Sequence, residues 1–303
     1  MNGEIFEIGY EELRKKYVRY LAEYIIPYKK ISYHGIKILL SKSTILSVDD
    51  NNKAYKLYYS QDDLMKSLAS DMLKFRMKSL VHHKDYLLIN GMHELSSNWD
   101  IVTNYYSAFS YASLLMRLLH RGTIFLDPNT KSIVDRNISN ALGEIIQIES
   151  NCTFLVNYND SYIELKKSDG NVHEVVWRET NKILQEMLQF SRSKSLERTV
   201  LTQLLDINST HGVTYPSKIR NMVNYQPELI IQYLEKGFHK VPPLKDPIQN
   251  LLEYASKDSE MLDTKIYLYS IYQKYIKMLA DRFFKDFLDM VKQNYLIKGY
   301  PML

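Results

Sequence analysis

Cysteine is nearly missing from the 303-residue chain, and the single Cys152 excludes both an internal disulfide framework and any zinc site built from several thiolates. That fits a reducing compartment, with the thiol acting as a small buried hydrophobe. Glycine is sparse as well. None of the ten glycines forms a Walker A or GxGxxG string, which argues against nucleoside-triphosphate hydrolysis and dinucleotide chemistry; no cofactor is expected. No stretch of about 18 consecutive apolar residues occurs, so no membrane span is expected. The opening Met1-Asn2-Gly3-Glu4-Ile5-Phe6-Glu7 lacks the basic and apolar regions of a secretory signal, and the expected location is the cytoplasm. Metal-ligand spacing is missing too. His82-His83 and His93 do not give the i, i+4 pair of a helix-borne zinc site, no HExxH occurs, and these histidines read as surface or capping residues; no metal is expected. A Gly-x-Ser-x-Gly elbow is also lacking. The net charge of +4 is too slight to imply nucleic-acid binding, and the pairs Lys15-Lys16, Lys29-Lys30 and Lys166-Lys167 are scattered.

What is present is a 45% hydrophobic composition, enough to bury a full core. Leu13, Tyr17 and Leu21 recur at helical spacing from Tyr10 to Ile25, ahead of Pro27. Ile36–Leu40, Thr44–Val48 and Ala54–Tyr59 read as three strands of a small meander. Ser60-Gln61-Asp62-Asp63 has the form of a capping box opening a long helix, with Leu64, Leu68, Met72, Phe75 and Leu80 on one face and Gly91 near its end. Ser96-Ser97-Asn98 then caps a helix that turns Ile101, Tyr105, Ala108, Ala112, Leu115 and Leu119 inward, with Gly122 as its C-cap. A weaker helix is expected over 133–148. Thr153–Tyr158, Tyr162–Lys166 and Val172–Trp177, divided by Asn159-Asp160 and Asp169-Gly170, read as an inserted antiparallel meander. Helical spacing resumes at Ile183, continues through Leu196–Leu205 and 229–234, passes a linker at Val241-Pro242-Pro243, and ends in a long stripe over 259–295.

Ser217-Lys218-Ile219-Arg220-Asn221-Met222-Val223-Asn224-Tyr225-Gln226-Pro227 carries an Arg-Asn pair on a helix. With the helix bearing Asn104-Tyr105-Tyr106-Ser107-Ala108-Phe109, it resembles the HEPN superfamily of helical-bundle proteins, whose signature is an Arg, commonly followed by Asn, then a His after four to six intervening residues. Tyr225 stands where that His is expected. The likeness covers residues 62–256, apart from the β insertion. It implies a mainly α protein: an N-terminal α/β extension at 1–59, a HEPN-like helical bundle at 60–256 with a β-meander inserted at about 150–178, and a long C-terminal helix at 257–303 for packing or dimerisation.

The activity it implies is that of a prokaryotic defence or toxin-type effector, a metal-independent endoribonuclease in which the RNA 2′-hydroxyl attacks the phosphodiester. Arg220 would stabilise the phosphate charge with its planar fork of donors, and Asn221 and Tyr225 would assist. A tyrosine with a pKa near 10 is a poorer base than histidine, so His211 and His239 are candidates for the imidazole. Implied partners are RNA or another single-stranded nucleic acid, for which the 25 tyrosines offer stacking surface, and a homodimer mate or partner protein. Three alternatives stand beside this: a catalytically inactive HEPN-like binding module, a structural subunit of a larger complex, and an Arg220 that simply pairs with a bundle carboxylate.

Overall fold

A computed structural model describes residues 6–24, 35–41, 45–49, 54–91, 97–143, 148–225, 249, 251–252 and 262–298. The chain is mainly helical and carries one antiparallel sheet. It divides into two compact units, each assembled from three stretches of chain. One contains Met1–Arg14, Phe75–Ala112 and Trp177–Arg282; the other contains Lys15–Lys74, Ser113–Val176 and Phe283–Leu303.

The second unit holds all five strands: β1 (Ile45–Asp49), β2 (Ala54–Tyr58), β3 (Arg121–Leu126), β4 (Cys152–Tyr158) and β5 (Tyr162–Ser168). Their order across the sheet is β1-β2-β5-β4-β3, with every neighbour antiparallel. Strands from the two expected meanders are therefore parts of a single sheet, because Ala54 pairs with Lys166 and Tyr58 with Tyr162. The pleat turns Phe154, Val156 and Tyr158 of β4 and Ile163 and Leu165 of β5 inward. Cys152, half-buried at the start of β4, has its thiol pushed up by burial.

Three local expectations are corrected here. Residues 36–40 form a short helix rather than a strand: Gly35 starts it, and the backbone N–H of Ile36 donates 3.3 Å to the buried Asp71 carboxylate, a tertiary bond that overrides β propensity. Gly122 lies in β3 rather than capping a helix. His120 (φ 58°) takes the left-handed position just after the helix Ser97–Leu118, which frees the glycine for the strand. Val172–Trp177 is not a third strand but the start of the helix Val172–Phe190. Asn171 Oδ1 accepts from the Glu174 N–H at 3.1 Å and Glu174 Oε2 accepts from the Asn171 N–H at 3.3 Å, a reciprocal capping box that commits the run to a helix.

In chain order the helices are α1 (Ile8–Leu13), α2 (Tyr20–Tyr24), α3 (Ile36–Leu40), α4 (Gln61–Gly91), α5 (Ser97–Leu118), α6 (Pro128–Leu142), α7 (Val172–Phe190), α8 (Leu196–His211), α9 (Tyr215–Tyr225) and α10 (Leu262–Lys298). A π-helical turn, Arg14–Arg19, joins α1 to α2 where one unbroken helix is expected. The Ser60 cap is present, its Oγ accepting from the Asp63 N–H at 3.2 Å. α6 begins earlier than expected, since Asp127 caps it with Pro128 in the first turn, and Gly143 (φ 70°) ends it before residue 148. The helix expected at 229–234, the linker at 241–243, His93 and His239 lie outside the described residues.

In the first unit the buried Glu197 of α8 accepts backbone N–H bonds from Glu7, Gly9 and Tyr10 at 3.0, 2.9 and 2.9 Å, so one carboxylate caps α1. Gly9 permits the approach, because a Cβ there would sit 2.2 Å from the Met187 carbonyl oxygen. The core of this unit is rich in tyrosine: Tyr10, Tyr105, Tyr111, Tyr269, Tyr272 and Tyr275 are all buried. Among the described residues no helix is long and apolar enough to cross a membrane.

Candidate functional site

The site is built on α9 and on the part of α5 that precedes Ser113, both within the first unit. Tyr215, Ile219 and Val223 anchor the buried stripe of α9, and Arg220 lies half-buried at its border. The Arg220 guanidinium lies over the Tyr105 ring, 5.2 Å from its centroid, and 6.0 Å from that of Tyr106, within cation–π range. Its Nε is buried without a hydrogen-bond partner, and no carboxylate pairs with Arg220 among the described residues. The expectation of a simple bundle ion pair therefore finds no partner there.

The tyrosine bed is itself fixed from below. Trp177 Nε1 donates to the Tyr105 hydroxyl at 3.3 Å, and that hydroxyl lies 3.1 Å from Ser217 Oγ, one helical turn before Arg220. Burial raises the Tyr105 phenol, while its hydrogen bonds to Ser217, Trp177 and Arg220 and the Arg220 charge oppose that rise without cancelling it. Tyr215 and Tyr269, whose rings meet edge-on at 6.3 Å, are likewise pushed up by burial. All three remain neutral phenols at physiological pH, so the aromatic wall offers π faces and hydroxyls but no tyrosinate base. No protein-family model, curated protein or solved structure matches the chain.

The expected Arg220-Asn221-Tyr225 set is not gathered on one face. At about 100° per residue, Asn221 and Tyr225 project about 100° and 140° away from Arg220, and both are exposed, Tyr225 by 74%. His211 stacks on the Tyr215 ring at 4.8 Å. An imidazole that sequence reasoning assigned to the surface lies beside the bed: His82 of α4 is half-buried with its ring 6.1 Å from that of Tyr106, the same ring that Arg220 overlies. Nothing in the local sequence signals this, because His82 and Tyr106 stand on different helices and meet only through the fold. Among the described residues no group of three or more His, Cys, Asp or Glu side chains is arranged to hold a metal ion.

Proposed function

We propose that this protein is a HEPN-like effector acting on RNA, a metal-independent endoribonuclease in which Arg220 holds the scissile phosphate. The observation that carries the reading is a half-buried guanidinium laid on two tyrosine rings with no carboxylate to neutralise it among the described residues. Such a cation is oriented in advance, in part by its hydrogen bond to Tyr105, and the donors of its planar fork that Tyr105 does not take are left for an anion. In this reading the RNA 2′-hydroxyl attacks the adjacent phosphorus, the P–O5′ bond breaks, and Arg220 takes up the charge that grows on the phosphoryl oxygens. The products are a 2′,3′-cyclic phosphate and a 5′-hydroxyl. Asn221 and the exposed Tyr225 project away from the phosphate and contribute contacts along the strand, with Tyr225 stacking on a base. His82, beside Tyr106, is the imidazole available to move the proton.

The separation of Tyr225 from Arg220 favours a second reading, a module that binds single-stranded nucleic acid without cleaving it. One experiment decides between them. The protein and its Arg220→Ala variant are incubated with mixed single-stranded RNA in chelator. Cleavage with cyclic-phosphate ends by the parent, reduced at least about a hundredfold in the variant, is the expected result. Arg220-dependent binding without cleavage would support the module. Cleavage or binding indifferent to Arg220 would sink both.

A further inference from the structure

One buried oxygen ties together three helices of the first unit. Tyr105 of α5, Trp177 of α7 and Ser217 of α9 are all buried, and the Tyr105 hydroxyl bonds to both others, at 3.3 Å to the indole nitrogen and 3.1 Å to Ser217 Oγ. The Arg220 guanidinium bonds to the same hydroxyl. Distance leaves the direction of the Ser217 bond open, because either hydroxyl can donate. The other two arms decide it. An indole and a guanidinium are donors only, so Tyr105 Oη accepts from both, and Ser217 Oγ is the one partner of the three that can take the phenolic proton. Reversing that bond would set three donors on one oxygen and turn the phenolic proton away from all three partners, a costly arrangement for a buried donor.

That direction bears on Arg220. Ser217 and Arg220 stand three residues apart on one face of α9, so this helix takes a proton from the Tyr105 oxygen and returns an N–H to it. Packing holds the oxygen in place from behind: the Tyr105 ring lies 6.0 Å from that of Trp177, which lies 6.0 Å from that of Tyr272 on α10. A loose arginine side chain gives up much rotamer freedom when it takes hold of an anion. Arg220 has given up that freedom already, on folding.

We propose that Tyr105, Trp177 and Ser217 are positioning residues for Arg220: their hydrogen-bonded hub at Tyr105 Oη fixes the plane of the guanidinium, with Ser217 as the acceptor that sets its polarity. Their part in cleavage rests on the ribonuclease reading, whereas the fixing of Arg220 does not.

Two measurements on the full chain test it. The first reads the order of the arginine directly, through the NMR signal of its buried Nε–H, identified by its loss in Arg220→Lys. In the parent this signal should stand apart from those of solvated arginines. It should move toward them in Tyr105→Phe, which keeps the ring beneath the guanidinium, and in Ser217→Ala, which removes only the proton acceptor; both should keep the parent's circular dichroism spectrum. The second is kcat on a single-stranded RNA that the parent cleaves in chelator. Each substitution should lower kcat about ten- to a hundredfold with KM little changed, and Tyr105→Phe added to Arg220→Ala should lower it no further, because both act through one group. An Arg220 signal unmoved in both variants overturns the proposal, as does a loss that adds in full to that of Arg220→Ala. An Arg220 signal that moves as described in a protein that cleaves no RNA upholds the hub and removes the ribonuclease reading instead.

Discussion

At the residue scale, two buried groups in different units illustrate how single positions set stability. His120 is buried between Tyr17 and Tyr20, its ring 5.5 and 5.6 Å from theirs, and burial pulls its imidazole down to about 4. Between that value and the ordinary 6.5, the unfolded chain binds a proton that the folded chain refuses. Stability therefore falls as pH drops from about 6.5 to about 4 and levels off below both values, a loss of about 3 kcal/mol at full effect. Urea unfolding at neutral pH and near pH 4 should show this loss in the parent and a smaller one in His120→Asn, which tolerates the same left-handed backbone; equal losses would clear His120 of the role. Glu197, with its three backbone donors, is the second case. Glu197→Ala should cost about 2–4 kcal/mol, since it strips several buried N–H groups of their acceptor at once, and Glu197→Gln, keeping one acceptor oxygen, should cost less. A chemical denaturation midpoint unchanged in Glu197→Ala would refute this account of how α1 is held.

At the element scale, the outcome turned on caps and long-range partners more than on apolar spacing. Val172-His173-Glu174-Val175-Val176 has the residue types of a strand, yet the Asn171–Glu174 box opens a helix there. Asn171→Ala should accordingly lower stability by about 1 kcal/mol, read as a drop of a few degrees in melting temperature; no drop would mean that burial of Trp177 alone directs the helix. Where cap and spacing agreed, as at Ser60 opening α4, the sequence was legible, and over the long stripe of α10 spacing alone was enough. It was legible only in part at the candidate site. Arg220 stood out as a charged residue in a recognisable local pattern, and Tyr105 was placed facing inward by periodicity. That the two lie against each other depends on how α5 meets α9, over a hundred residues apart, and no local pattern encodes it. The same holds for His82 beside Tyr106 and for 36–40, whose helix depends on Asp71.

At the scale of the whole molecule, the linear division into extension, bundle and C-terminal helix does not match the two compact units, each of which draws on early, middle and late chain. Charge, composition and linker signals are read along the sequence, whereas strand pairing is not; the bond between β2 and β5 has no signature in either strand alone. A chain lacking residues 1–59 should leave the β5 edge of the sheet unpaired and aggregate on refolding, which static light scattering against the full chain would detect. Clean, monodisperse refolding of that fragment would show that the sheet tolerates the loss. The order of synthesis is affected too. Once β1 and β2 have left the ribosome, roughly a hundred more residues must be made before β5 can join them, on the order of 5–20 s at ordinary translation speeds. For that interval a nascent hairpin waits with one side open, and a chaperone that shields it during elongation would raise the yield of native protein more than one supplied after release.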